Sequence, residues 1–255
     1  MEEFQLNRRE YLERIGIMKD VRADCESLRL IQIDHMLSVP FENLDIVNSH
    51  PFELKLESIY NKIVVNRRGG YCYELNGLLG WLLKEIGFSL SMVAGRVRRE
   101  DGTYGPEFDH MALLVHLDKD WVVDVGFGDS VRSPLPLSGE IVTDVSGSYR
   151  ITHEPNSGIL CFQKLIQGEW VAEFQFTRQP RQLEEFRDMN QYQQTSPESH
   201  FTKRLVCSLA TPEGRISISG DSLIETFGNK KERRTIASDG ERDDLLRHRF
   251  RIFDS

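Results

Sequence analysis

A chain of 255 residues, 39% hydrophobic and 28% charged, has enough apolar content for a sizeable core, which excludes intrinsic disorder and points to one compact unit with lobes. Its net charge of −8 argues against nucleic acid as a partner, because neutralising phosphates needs a basic face. No stretch approaches the roughly 20 apolar residues of a membrane span, and the acidic start Met1-Glu2-Glu3-Phe4 lacks the apolar run of a targeting peptide, so no membrane contact and a cytoplasmic location are expected.

The first ninety residues read as helical. Between Ser27 and Leu37 the residues Leu28, Ile31 and Leu37 recur at helical spacing, and the pattern stops before Pro40. Lys62, Arg67 and Arg68 form a basic cluster, as Arg96, Arg98 and Arg99 do later. Each reads as solvated surface or as a local site for a small anion. A second helix is predicted from Cys72 to Ile86, with Leu75, Leu78, Leu79, Leu82 and Leu83 on one face and Gly87 as its stop.

From about residue 88 to 178 the apolar period becomes that of strands. Met111–Leu117, a polar turn Asp118-Lys119-Asp120 and Trp121–Val125 read as a hairpin. Further strands are predicted near Tyr149–Thr152, Ile159–Leu165 and Trp170–Phe176. Residues 181–200 return to polar helix and loop. Two short strands, Leu205–Leu209 and Arg215–Ser219, flank the turn Thr211-Pro212-Glu213-Gly214, and a last helix runs from Glu241 to Phe250 with Gly240 just before it.

Cys25, Cys72, Cys161 and Cys207 are scattered without a Cys-x-x-Cys pair, so neither a disulfide framework nor a zinc site is expected, and no metal is called for. By default each is a small buried hydrophobe. Cys72 departs from that default, because Arg68-Gly69-Gly70-Tyr71 leads it into the first turn of the second helix. The unpaired N–H groups and partial positive charge of a helix N-terminus favour thiolate, which predicts a lowered thiol pKa. The same N–H groups suit a developing oxyanion. A structural cysteine after an ordinary glycine turn fits this segment equally well.

A nucleophilic cysteine needs a base, and the base needs an orienting partner. Of seven histidines, His50, His153, His200 and His248 sit in polar contexts that suggest the surface, His116 in a satisfied strand position, and His35 in a packed helical one. His110 stands at the mouth of a strand, after Gly105-Pro106-Glu107-Phe108-Asp109. Asp124 is a carboxylate in a strand of Trp, Val and Gly, costly to bury unless something cationic or hydrogen-bonding meets it. The alternative is an Asp124 facing solvent. A three-residue turn at 118–120 would pair 114 with 124 and leave His110 four residues further along, roughly 13 Å away at strand rise. A bulge or sharp bend would be needed to join them.

Several segments together resemble the arylamine N-acetyltransferase family. In order they are Val39-Pro40-Phe41-Glu42-Asn43-Leu44, Arg68-Gly69-Gly70-Tyr71-Cys72-Tyr73-Glu74-Leu75-Asn76, His110-Met111-Ala112-Leu113-Leu114-Val115, Val123-Asp124-Val125-Gly126-Phe127-Gly128, Gln194-Thr195-Ser196-Pro197 and Cys207-Ser208-Leu209-Ala210-Thr211-Pro212-Glu213-Gly214. The resemblance implies an α+β fold: an N-terminal helical bundle over residues 1–87, a central β-barrel over 88–190 and a C-terminal α/β lid over 191–255, around a cysteine-protease-like core. It implies an acyl group carried on Cys72, His110 as base and Asp124 as its orienting residue. Phe127 and Asp109 would meet the acceptor, Ser208 and Gly128 the donor. Acetyl-CoA is the implied co-substrate, and small aromatic amines or hydrazines the implied acceptors. Asp129-Ser130-Val131, after Gly128, falls where the family varies and shapes the amine pocket, so the acceptor preference is left unspecified; the sequence does not specify the oligomeric state either. A Cys-His-Asp thioester hydrolase or transglutaminase-like enzyme shares the same triad logic.

Overall fold

The computed structural model describes residues 5–228 and 230–253, so the acidic start Met1-Glu2-Glu3-Phe4 lies outside the described residues. Five helices come first: α1 (Arg8–Arg14), α2 (Cys25–Ser38), α3 (Leu44–Val47), α4 (Leu56–Tyr60), continued by a π turn over Asn61–Val65, and α5 (Cys72–Ile86). A two-residue strand, β1 (Phe41–Glu42), lies between α2 and α3. Asp24 starts α2 by accepting the Ser27 N–H at 2.8 Å, and the helix ends before Pro40 as the sequence predicts. The predicted leucine face of α5 is fully buried, and so are Asn76, Gly77 and Gly80 on its other sides. α5 is therefore an internal helix over most of its length, and only its last turn, with Lys84 and Glu85, reaches solvent. Gly87 closes it at φ 108°.

Eight antiparallel strands follow: β2 (Ser89–Val97), β3 (His110–His116), β4 (Asp120–Val123), β5 (Leu135–Pro136), β6 (Val142–Asp144), β7 (Gly147–His153), β8 (Leu160–Ile166) and β9 (Glu169–Phe176). Their order is β5-β4-β3-β2-β9-β8-β7-β6, and β5 also lies against β7, which nearly closes the sheet into a barrel. β3 is buried on both faces. Met111, Leu113 and Val115 join the core around α5, while Ala112 and Leu114 join the barrel core of Phe162, Phe174 and Val122.

The hairpin β3–β4 exists as predicted, but its register does not. His116 pairs with Asp120 and Leu114 with Val122, so the turn is Leu117-Asp118-Lys119. Position 124 thus continues opposite 112 rather than 114. His110 becomes a diagonal neighbour of Asp124, about 7–8 Å away in an ideal sheet and within reach of a long side chain. No bulge is needed there; the one register shift recorded in the barrel lies between β8 and β9.

A 3-10 turn at Leu183–Phe186, α6 (Arg187–Thr195) and α7 (His200–Lys203) lead to β10 (Val206–Thr211), β11 (Gly214–Ser219), β12 (Ser222–Phe227) and β13 (Lys230–Thr235). These form a second sheet of order β1-β10-β11-β12-β13, so a strand from the N-terminal region completes a C-terminal sheet. One face, with Cys207, Leu209, Ile216, Ile218 and Leu223, packs on Leu245, Leu246 and Phe250 of and just after α8 (Asp239–Arg249). α8 starts two residues before the predicted Glu241, because Ser238 Oγ accepts the Glu241 N–H at 3.2 Å and Gly240 falls inside the first turn. Among the described residues no helix is long and apolar enough to cross a membrane.

Candidate active site

The approach to Cys72 is anchored from below. A Cβ on Gly69 would lie 2.1 Å from the Pro40 carbonyl oxygen, so only glycine lets the chain pass there. The Arg14 guanidinium, 6% exposed, donates to the carbonyls of Ser38 and Ile63 at 2.8 and 2.9 Å and to those of Arg67 and Arg68 at 3.2 Å. Lys62 and Arg68 are not solvated surface. Lys62 Nζ reaches Glu74 at 2.8 Å and Asp45 at 2.7 Å, while Arg68 reaches Glu42 at 2.9 Å and Asp45 at 3.0 Å. Burial alone would lower the Lys62 pKa, but Glu74, Glu42 and Asp45 hold it above the usual lysine range. Glu74 in turn accepts the Tyr71 N–H at 3.1 Å, which fixes the first turn of α5.

Cys72 is the first residue of α5 and 3% exposed. The backbone of Met111 and of Tyr73 acts on the thiol in the direction of thiolate. A Cβ on Gly126 would sit 2.6 Å from Cys72 Cα, so a glycine is what allows the segment after Asp124 to lie against Cys72. Contrary to the sequence expectation, burial pushes the Cys72 thiol well above its usual range, and the Asp124 carboxylate adds to the effect. The helix N-terminus is outweighed by depth.

His110 is 2% exposed and Asp124 1%. His110 Nε2 lies 2.7 Å from Asp124 Oδ2. Asp124 Oδ1 accepts from Asn76 Nδ2 and from the Gly126 N–H, each at 2.8 Å, so the buried carboxylate is fully met and does not face solvent. Asn76 also donates to the Met111 carbonyl at 2.7 Å and accepts the Val125 N–H at 3.0 Å, which ties α5, β3 and the segment after β4 into one frame. His110 Nδ1 is the ring nitrogen not engaged by Asp124. The rings of Phe127 and Phe174 stand edge-on to the imidazole at 5.1 and 4.8 Å between centroids.

The remaining candidates fall in two places. Asp109 is next to His110, accepts from Gln193 Nε2 at 3.1 Å and has its pKa raised by burial. Phe127 lies on the barrel side of His110. Ser208 sits on β10, buried, and Arg215 Nη1 donates to its Oγ at 2.9 Å. Arg215 Nε lies 3.3 Å from Asp129, the residue after Gly128, which brings Ser208 and Gly128 to one region. Asn76 and Phe174 carry no assignment from the sequence. The signal for Asn76 was present: an amide four residues after Cys72 on an otherwise apolar helix must find a buried partner. Of the other cysteines, Cys161 and Cys207 are buried, but Cys25 is exposed.

Residues 24–253 match the family model described as N-acetyltransferase. Human arylamine N-acetyltransferase 1 is 34% identical over 268 residues, covering 95% of this chain and 92% of the human protein. The structure superposes with a TM-score of 0.89 on arylamine N-acetyltransferase C from Bacillus anthracis, 30% identical, covering 96% of this chain and 98% of that one. A Bacillus cereus arylamine N-acetyltransferase, described as having a unique Cys-His-Glu catalytic triad, superposes at 0.87 with 28% identity over 95% and 96% of the two chains. Here the carboxylate on His110 is an aspartate. By sequence coverage and by fold, the chain belongs to the arylamine N-acetyltransferase family.

Proposed function

We propose that the chain transfers the acetyl group of acetyl-CoA to the nitrogen of arylamines or arylhydrazines, in the cytoplasm, by a ping-pong route through a thioester on Cys72. The observation that carries this reading is the buried His110–Asp124 pair held against buried Cys72: Asp124 accepts the Gly126 N–H, and Gly126 lies directly on the Cys72 backbone. A thiolate alone is disfavoured at that depth. It forms by passing its proton to the His110 ring, and Asp124 supplies the counter-charge of the resulting imidazolium.

The Cys72 sulfur attacks the thioester carbonyl, the C–S bond to coenzyme A breaks, and the His110 proton leaves with the coenzyme thiol. One thioester replaces another of similar energy, so the acetyl group keeps its reactivity. The amine, a weak base and neutral near pH 7, then attacks the acetyl carbon. His110 takes its proton and returns it to the Cys72 sulfur as the amide departs. N–H groups at the start of α5 suit the oxyanion of both steps. Phe127 and Asp109 serve the acceptor, and Ser208 and Gly128 the donor. No step requires a metal.

Initial rates with both substrates varied test the route. Parallel double-reciprocal lines and exchange of label between acetyl-CoA and free coenzyme A without amine are expected. Intersecting lines with no exchange would replace it with direct transfer in a ternary complex.

A further inference from the structure

We propose that Arg215 is a donor-binding residue whose guanidinium captures a phosphate group of coenzyme A. This rests on the acetyl-CoA reading above and adds residues that the family resemblance does not single out. Arg215 lies on β11 at 8% exposure. Nη1 is committed to Ser208 Oγ, which also shares a hydrogen bond with Ser217 Oγ at 2.7 Å. Both Nε and Nη2 are buried and make no hydrogen bond among the described residues; Nε has only the ion pair with Asp129 at 3.3 Å. These two form one edge of the guanidinium, the edge that takes two oxygens of a phosphate or carboxylate side by side. A buried arginine whose edge meets only one largely exposed carboxylate is suited to an anion rather than to packing.

The surroundings agree. Lys164 Nζ and Arg215 Nε approach the two oxygens of Asp129 at 3.4 and 3.3 Å, and the Asp129 side chain is 63% exposed. Arg132, 6% exposed, donates to the carbonyls of Pro212 and Gly214 and so staples the loop after Gly128 to the turn before β11. Asp144, Asp129 and Glu213 all act on the Arg132 charge. Asp129 is thus an exposed carboxylate held loosely at an edge suited to a stronger anion. The strand order also relates the site to the segment that leads into Cys72. Ser208 opposes Phe41 across β10 and β1, and Phe41 bridges Gly70, two residues before Cys72. Two strand spacings of about 5 Å separate them, a span that a pantetheine arm covers. The charges of coenzyme A are phosphates beyond that arm, which selects phosphate over carboxylate.

The test compares acetyl-CoA, acetyl-dephospho-CoA, acetyl-pantetheine and p-nitrophenyl acetate as donors. Arg215→Ala should raise KM for acetyl-CoA roughly 10- to 100-fold, as loss of a charged hydrogen-bonded contact does, and lower the kcat/KM ratio of acetyl-CoA to p-nitrophenyl acetate by the same factor. Arg215→Lys should restore part of it. Asp129→Asn should lower KM for acetyl-CoA, the opposite of what a purely structural ion pair predicts. A large wild-type penalty for acetyl-dephospho-CoA identifies the 3′-phosphate as the group read, and one appearing only with acetyl-pantetheine identifies the diphosphate. Equal loss with all four donors in Arg215→Ala would overturn the proposal, as would inorganic phosphate that competes equally well in wild type and variant. Should Arg215→Ala fail to fold, the wild-type donor series and Asp129→Asn decide: no donor discrimination and no tightening overturn it. A wild type that turns over none of the donors would sink acetyl transfer itself, and Arg215 with it.

Discussion

His35 and His110 are almost equally hidden, at 0% and 2% exposure, yet their surroundings differ in kind. His35 Nε2 meets the Tyr11 hydroxyl at 2.9 Å, its Nδ1 has no hydrogen-bond partner among the described residues, and the nearby charge is Arg14. Burial drives its pKa down to about 3, and Arg14 pushes the same way. His110 instead meets Asp124 at 2.7 Å, and that carboxylate is itself held by Asn76 and Gly126. A buried imidazole serves as a base only where an anion awaits its conjugate acid. Depth makes His35 inert, and in the proposed route the Asp124 carboxylate makes the same depth useful at His110.

The largest effect that bears on this contrast is removal of the proposed nucleophile. Cys72→Ala should abolish acetyl transfer, and substantial turnover in that variant would remove any need for His110 as a base. Asp124→Asn deprives His110 of its anion, as His35 is deprived, and should cost roughly 10²- to 10⁴-fold in kcat/KM. Activity within about threefold of wild type would break the comparison. A third change separates charge that holds α5 from charge that does chemistry. Lys62→Met leaves Glu74 and Asp45 short of their shared cation and should cost about 3–5 kcal/mol in urea denaturation. A loss under about 1 kcal/mol would mean that solvent screens the cluster.

The smallest effect concerns His35 itself. Its folded pKa of about 3 lies below its unfolded value of about 6.5, so between these the unfolded state binds a proton that the native state does not. Stability should therefore fall as the pH drops through that window, by up to about 1.4 kcal/mol per pH unit from this residue. Urea midpoints at pH 7 and pH 5 measure it, and His35→Phe should flatten the slope. An unchanged slope would show that His35 already carries its proton or is not buried in solution.

Much of this was legible in residue order. The apolar stripes of α2 and α5, the hairpin, and the sorting of His50, His116, His153, His200 and His248 away from the site all follow from local pattern. The register of β3 and β4 did not, because shifting a pairing by two positions keeps every side chain on its face. In the observed register Asp120 is the first residue of β4 instead of the last of the turn, and it stands opposite His116 with His116 Nδ1 at 2.7 Å from its carboxylate. β12 and β13 were missed; β13, Lys230–Thr235, is exposed throughout and shows no apolar alternation. The partners of Lys62 and Arg68 lie up to 26 positions away, so their burial could not be read from their own segment. The Cys72 pKa went the other way from its helix-terminus reading because burial of the thiol is a property of the whole fold.

The most direct test of the thioester on Cys72 is intact-protein and peptide mass spectrometry after mixing with acetyl-CoA, repeated after adding aniline. A single acetyl increment on the Cys72 peptide, discharged by aniline as acetanilide appears, is the expected result. No increment on Cys72, or one lost equally fast without amine, would contradict it.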